Sequence, residues 1–226
     1  MIRAVLFDAV GTLIELREPV GESYARTARR HGVEISPWRV EDAFRRVLAQ
    51  APPMVFPDAA AGDVPARERD WWREAVRSTF LAADPTRRFR DFEACFLELW
   101  QHFSGPGAWT ARQGAGALLE RLQSTGLRTA VVSNFDTRLP RLLEALGLAD
   151  LFDAVVLPAQ VRAQKPDRAI FAFALNQLGV SAAEALFVGD DAGRDLAGAR
   201  SAGLRALDVA SLATLDALDI ANAGVT

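Results

Sequence analysis

One cysteine, one lysine and two histidines are all that 226 residues hold of the side chains that make disulfides, amine chemistry and zinc sites. A lone Cys95 excludes an intrachain disulfide and suits a reducing, cytoplasmic compartment. It falls in the apolar stretch Phe92 to Leu97, read as a helix, so a buried and inert thiol is expected. His31 and His102 lie far apart in the sequence and offer no metal pair. Excess positive charge is missing too. A formal net charge of -3 supplies no electrostatic footprint for nucleic acid. No apolar run approaches a bilayer span, so no membrane partner is expected. The N-terminal run Ile2 to Phe7 is too short for a signal-peptide core and ends in Asp8. Because every other cation is arginine, Lys165 stands out wherever a compact point charge is needed.

What remains is an ordinary globular balance, 50% hydrophobic and 24% charged, in a chain long enough for one large domain or two modest ones. Short apolar runs at Ile2 to Phe7, Thr129 to Val132, Ala154 to Leu157, Ala185 to Val188 and Leu204 to Val209 predict strands. Between them, helical patterns run Ala115 to Thr125, Arg138 to Leu146, Ala169 to Leu178 and Asp195 to Ala202. Gly126, Gly147, Gly179 and Gly203 stand just past their ends, where a left-handed cap is wanted. The alternation predicts an α/β fold, a Rossmann-like three-layer core whose parallel sheet carries ligands at the carboxyl ends of its strands.

The first two strands are separated far beyond the roughly 30 residues of a βα step. Within the gap, Glu22 to Arg30, Arg39 to Ala49, Arg67 to Leu81 and Phe89 to Phe103 read as amphipathic helices, broken at Ala51 to Pro53 and at Gly62 to Pro65. The expected organisation is a core of 1–14 and 108–226 with a helical cap, 15–107, inserted after the first strand. Such a lid excludes water and selects substrates. The tail Ser211 to Ala223 is expected to form one surface helix.

Four polar clusters follow strands: Asp8 to Thr12; Ser133 and Asn134; Lys165 to Asp167; and Gly189 to Asp191 with Asp195. Any one of them alone is explained by a turn or a helix cap. Together, on neighbouring strands about 5 Å apart, they converge on one crevice. A carboxylate nucleophile, a hydroxyl, an ammonium and an acidic cluster suit phosphoryl transfer. Asp8 and Asp190 would hold Mg²⁺, and Ser133 and Lys165 the transferred phosphoryl oxygens. Thr12 and Asn134 are further candidate phosphate contacts, and Asp191 and Asp195 further candidate metal ligands.

These clusters resemble the four motifs of the haloacid dehalogenase (HAD) superfamily: Asp8, Val10, Gly11, Thr12 and Leu13 as the first, Ser133 and Asn134 as the second, Lys165 to Asp167 as the third, and Gly189, Asp190, Asp191 and Asp195 as the fourth. The run Arg17 to Ala25 and the pair Trp71 and Trp72 are similar to the branch of haloacid dehalogenase-like hydrolase domain-containing protein three and rhythmically-expressed-gene-two-like proteins. The resemblance implies a hydrolase acting on a small phosphorylated molecule through an aspartyl-phosphate on Asp8, with Mg²⁺ also bound by the Val10 backbone carbonyl. It also exposes a departure. Phosphatases of the family carry a second Asp where this chain has Val10. General acid–base help is worth ~10² to 10⁴ in rate, about 3 to 5 kcal/mol of barrier. Slow activity, biased toward aryl or acyl phosphates, is the expectation.

Two rivals follow from the same resemblance. Metal-independent 2-haloacid dehalogenases also lack the second acid and use a cap arginine that aligns with Arg39, but their fourth motif is Ser/Asn-rich, unlike Asp190 and Asp191. A catalytically impaired binding module keeps the fold and loses the chemistry, with Val10 as its support. Phosphonoacetaldehyde hydrolases need a cap lysine, which this chain lacks. Trp71, Trp72 and Phe56 are expected to be cap core rather than substrate contacts. The sequence carries no signal for oligomeric state.

Overall fold

The structure, a computed structural model, describes residues 1–220. The chain opens with strands β1 (Ala4–Phe7) and β2 (Ile14–Leu16), then runs through α1 (Val20–Arg30), α2 (Pro37–Gln50), α3 (Val64–Ala83) and α4 (Phe92–Ser104). It returns through β3 (Trp109–Ala111), α5 (Ala115–Ser124), β4 (Arg128–Val132), α6 (Leu139–Ala145) and β5 (Ala154–Val156). The short α7 (Pro158–Val161), α8 (Arg168–Leu178), β6 (Ala185–Gly189), a π-helical turn Ala192–Ala197, α9 (Gly198–Ser201) and β7 (Arg205–Asp208) follow. Two compact units result: Met1–Glu15, Val55–Asp58 and Ala111–Thr226 form one, Leu16–Met54 and Ala59–Thr110 the other.

In the first unit five strands lie in the order β5-β4-β1-β6-β7, parallel at every neighbouring pair. The three central strands β4, β1 and β6 bury both faces, which is why their runs are continuously apolar rather than alternating. Ala4, Leu6, Ala130, Val132, Ala185 and Phe187 pack on Ile170, Phe171, Ala174 and Leu178 of α8. The alternate residues Val5, Phe7, Val131, Leu186 and Val188 point to the opposite face and are equally buried. β1 is central, and Phe7 pairs with both Val131 and Val188. Asp8 therefore emerges level with the ends of β4 and β6.

The second unit is helical. Tyr24 of α1 packs edge-on against Phe44 of α2 and Phe103 of α4, and tilted against Phe80 of α3, with ring centroids 5.6–5.8 Å apart. Cys95 is buried in this cluster, as its sequence context predicts. Trp72 packs against the cluster's edge, and Trp71 donates its ring N–H to the Pro52 carbonyl at 3.0 Å. Phe56 lies in Val55–Asp58, which groups with the first unit.

The four strand-to-helix alternations expected after residue 108 are present, and all four cap glycines have positive φ. Three local expectations are corrected. α3 starts at Val64, because Pro65 sits in its first turn, where a missing N–H costs nothing. α4 starts at Phe92 because the Asp91 carboxylate caps it, accepting from Ala94 N at 2.9 Å. The tail helix does not form over its described part. Residues 209–211 and 215–217 are single 3₁₀ turns, because the Arg121 guanidinium takes the Asp216 and Leu218 carbonyls and Leu215 N bonds to Gln113 O. The rest of that stretch lies outside the described residues. Among the described residues no helix is long and apolar enough to cross a membrane.

Candidate active site

Asp8 leaves β1 with its N–H still bonded to Val188 O at 2.9 Å. The chain then turns back at once: Ala9 O accepts from Thr12, Leu13 and Ile14, and Gly11 N reaches Ile14 O. Gly11 makes this possible, with φ at +90° and an added Cβ only 2.5 Å from Asp190 Oδ2. No other residue fits there without moving Asp190. Gly189 serves the opposite wall, where a Cβ would meet Asp195 Oδ2 at 2.5 Å.

Lys165 is the hub. Its Nζ lies 2.6 Å from Asp8 Oδ1 and 2.6 Å from Asp195 Oδ1, and 5.3 Å from the Phe187 ring centroid. The side chain is 2% exposed. The second oxygen of Asp195 accepts the N–H groups of Asp190 and Asp191, both at 3.2 Å. Asp190 Oδ1 accepts from the buried Thr12 hydroxyl at 3.3 Å. The buried Ser133 bonds through its N–H to Val156 O, and its Oγ accepts from Phe135 N at 3.3 Å.

Two predicted residues turn elsewhere. Asp191 caps the π-helical turn, accepting from Gly193 N and Arg194 N, and pairs with the Arg194 guanidinium at 2.6 Å. Asn134 spends both ends of its side-chain amide on the main chain of Lys165. Val10 is 36% exposed, forming an isolated bridge with Ile14. Arg39 lies exposed on α2. Among the described residues neither histidine joins a metal group: His31 contacts Glu98 and His102 contacts Ser23.

Oxygens of Asp8, Asp190 and Asp195 all lie within 4.8 Å of one another. Three carboxylates face one ammonium, so two negative charges lack local compensation. Burial raises Asp8 above the ordinary carboxylate range and Asp195 adds to it, while Lys165 opposes. Burial and Asp195 likewise raise Asp190. Burial also pushes Asp191 upward, but Arg194 and two backbone N–H groups outweigh it and the net shift is downward. Hard oxygen donors carrying surplus negative charge fit a divalent cation, which would reverse the upward shifts.

A carboxylate held by a buried lysine, at the end of the central strand of a parallel sheet, is the arrangement the four motifs imply. A family model for haloacid dehalogenase-like hydrolases matches residues 2–203. The chain belongs to that family. This hydrolase is 38% identical over 216 residues to Haloacid dehalogenase-like hydrolase domain-containing protein 3 of Mus musculus, covering 95% of this chain and 84% of the relative. The branch expected from the motifs is thus borne out. Among solved structures the hydrolase is similar to L-2-haloacid dehalogenase from Xanthobacter autotrophicus, with TM-score 0.67 and 27% identity over 96% of this chain and 80% of that one. It is also similar to a HAD phosphatase from Thermococcus onnurineus, with TM-score 0.60 and 27% identity over 91% of this chain and 85% of that one.

Two supports of the hydrolase's site were missed by sequence reasoning. Arg112 Nη1 donates to Gly11 O at 2.7 Å, and its N–H to Leu13 O at 2.8 Å, bracing the nucleophile turn from a hundred residues away. Asp136, 1% exposed, holds the Arg138 side chain beside Ser133 and Asn134. Arg112 carries no motif signal. The Asp136–Arg138 spacing matches a local side-chain turn, a signal that was available.

Proposed function

We propose that this hydrolase releases phosphate from a small phosphorylated molecule, with Mg²⁺ as cofactor and low intrinsic turnover. The observation that carries the reading is the 2.6 Å contact between Asp8 and Lys165 inside an acidic group completed by Asp190 and Asp195. Asp8 and Asp190, with the Val10 carbonyl, would hold the metal; bound there, it masks charge repulsion between nucleophile and phosphate. Lys165 has three N–H donors, and two are committed to Asp8 and Asp195. The third is left for a phosphoryl oxygen. Ser133 Oγ accepts from Phe135 N and keeps its own proton to donate.

In the first step an Asp8 oxygen attacks phosphorus, and the bond from phosphorus to the leaving oxygen breaks. Water then attacks the phosphorus of the aspartyl-phosphate, which frees inorganic phosphate and restores Asp8. Val10 has neither a proton for the leaving oxygen nor a base for the water, a loss of ~10² to 10⁴ in rate. Substrates that leave as stable anions, aryl and acyl phosphates, suit such a site. The helical insertion 15–107 is assigned the selection of substrate, and a cytoplasmic setting suits the single cysteine.

The test is a panel of phosphate esters and 2-haloacids, assayed with Mg²⁺ and with chelator. Metal-dependent phosphate release, and a fluoride-aluminate adduct on Asp8 by mass spectrometry, are expected. Val10→Asp should raise aryl phosphate turnover by up to ~10² to 10⁴. Metal-independent halide release would establish the dehalogenase reading instead, which Asp190 disfavours by repelling a haloacid carboxylate. No turnover and no adduct would leave a binding module.

A further inference from the structure

We propose that Asn134 is the positioning residue for Lys165, locking the main chain of the lysine loop to the end of β4. Its catalytic consequence rests on the phosphoryl-transfer reading; its geometric content does not. Asn134 Nδ2 donates to Lys165 O at 2.9 Å, and Lys165 N donates to Asn134 Oδ1 at 2.7 Å. One side-chain amide thus satisfies both backbone groups of a single residue 31 positions away, as a neighbouring strand would. Lys165 is thereby fixed at both ends, its backbone by Asn134 and its ammonium by Asp8 and Asp195.

The loop needs such a lock. Lys165 lies between α7 and α8, outside every strand, so no ladder sets its height against Asp8. Ser133, one residue before, is pinned by Val156 O. A single dipeptide therefore aligns the hydroxyl and the lysine against one nucleophile. With Oδ1 and one of the two Nδ2 N–H groups committed to Lys165, the side chain of Asn134 is held against the main chain of the lysine. It acts through the lysine.

Because the chain has a single lysine, [¹⁵N]lysine labelling yields one backbone amide signal, that of Lys165. In the full-length protein this amide should exchange slowly with solvent. Asn134→Ala removes both bonds and should speed exchange by at least ~10-fold, the equivalent of about 1.4 kcal/mol. In the same variant kcat on an aryl phosphate with Mg²⁺ should fall ~10²-fold, the cost of a 1 Å misplacement, with KM little changed. Asn134→Asp keeps the acceptor for Lys165 N but sets a carboxylate oxygen against Lys165 O, so exchange should speed less than in Asn134→Ala while kcat still falls. This second variant decides the matter should Asn134→Ala fail to fold. A wild-type Lys165 amide that exchanges freely, or exchange unchanged in Asn134→Ala, overturns the lock. Faster exchange with unaltered kcat overturns its catalytic role. If the wild type releases no phosphate at all, the phosphoryl-transfer reading fails while the amide signal still judges Asn134.

Discussion

Replacing Gly11 by alanine should separate the architecture of the nucleophile turn from its chemistry. The backbone at Gly11 has φ of +90°, where an L side chain costs ~1 to 2 kcal/mol. Gly126 provides the control: its φ is +75°, and nothing lies within 4 Å of an added Cβ. Both substitutions therefore carry the backbone cost, worth roughly 2–4 °C in Tm per kcal/mol for a chain of this size. Only Gly11→Ala adds a collision, at 2.5 Å from Asp190 Oδ2 and 2.8 Å from Asp190 Cγ. Asp190 is exposed and can swing away, surrendering its bond from Thr12, a long contact at 3.3 Å worth at most about 1 kcal/mol. The two variants should thus melt within a few degrees of each other. Their sites should differ far more. Moving Asp190 removes a proposed metal ligand, and disturbing even an outer partner of a metal costs ~10–100-fold in affinity or activity. Thermal melts beside calorimetric Mg²⁺ titration and aryl phosphate turnover read all three quantities. Gly11→Ala that binds Mg²⁺ and turns over like Gly126→Ala refutes the assignment of Asp190.

Asp191→Ala should cost ~0.5–2 kcal/mol in urea melts, the worth of an N-cap, and leave Mg²⁺ affinity unchanged; a large loss of affinity would make Asp191 a ligand after all. Burial pushes the Cys95 thiol up to about 12 from 9.0, so native protein should resist a thiol reagent at pH 8 until it unfolds. The folded thiol holds its proton more tightly than the unfolded one. Its contribution is therefore intact below pH 9 and lost as pH rises from 9 toward 12, at up to ~1.4 kcal/mol per unit. Equal stability slopes over pH 9–10 for the wild type and Cys95→Ala would refute it.

The strands were legible because a parallel sheet buries both faces, so each central strand reads as an unbroken apolar run bounded by turns. The order of clusters was legible for the same reason, since three follow their own strand directly and the Lys165 cluster follows β5 after the short α7. What the residues do to one another was not. Asp191 and Asp195 look alike in sequence, yet one caps a turn and the other bridges a lysine and two backbone N–H groups. Side-chain roles at this range depend on rotamers and on the π-helical turn between them, and neither leaves a periodic trace. Arg112 was invisible because its target is a carbonyl, and any residue supplies a carbonyl. The tail failed where tertiary contacts overrode propensity: helix-forming alanines yielded to an arginine that claims two of their neighbours' carbonyls.

Position 10 is where fold and chemistry part. A valine near a parallel sheet is ordinarily placed by burial, and Val10 is exposed three residues beyond a fully buried strand. Its backbone, by contrast, is used: it bridges to Ile14 in the turn that delivers Asp8. The fold therefore asks for the main chain of residue 10 and leaves its side chain to function. A β-branched apolar group left 36% exposed gains less from burial than the fully buried residues of β1, so packing alone accounts for it poorly. On the proposed phosphoryl-transfer reading it withholds a proton-carrying group from the site, and an aspartyl-phosphate would then be released slowly. Asp8 is buried and braced by Arg112 and Lys165 as firmly as a working nucleophile requires. On the same reading, a site with this carboxylate and no acid at position 10 would form the acyl-phosphate more readily than turn it over.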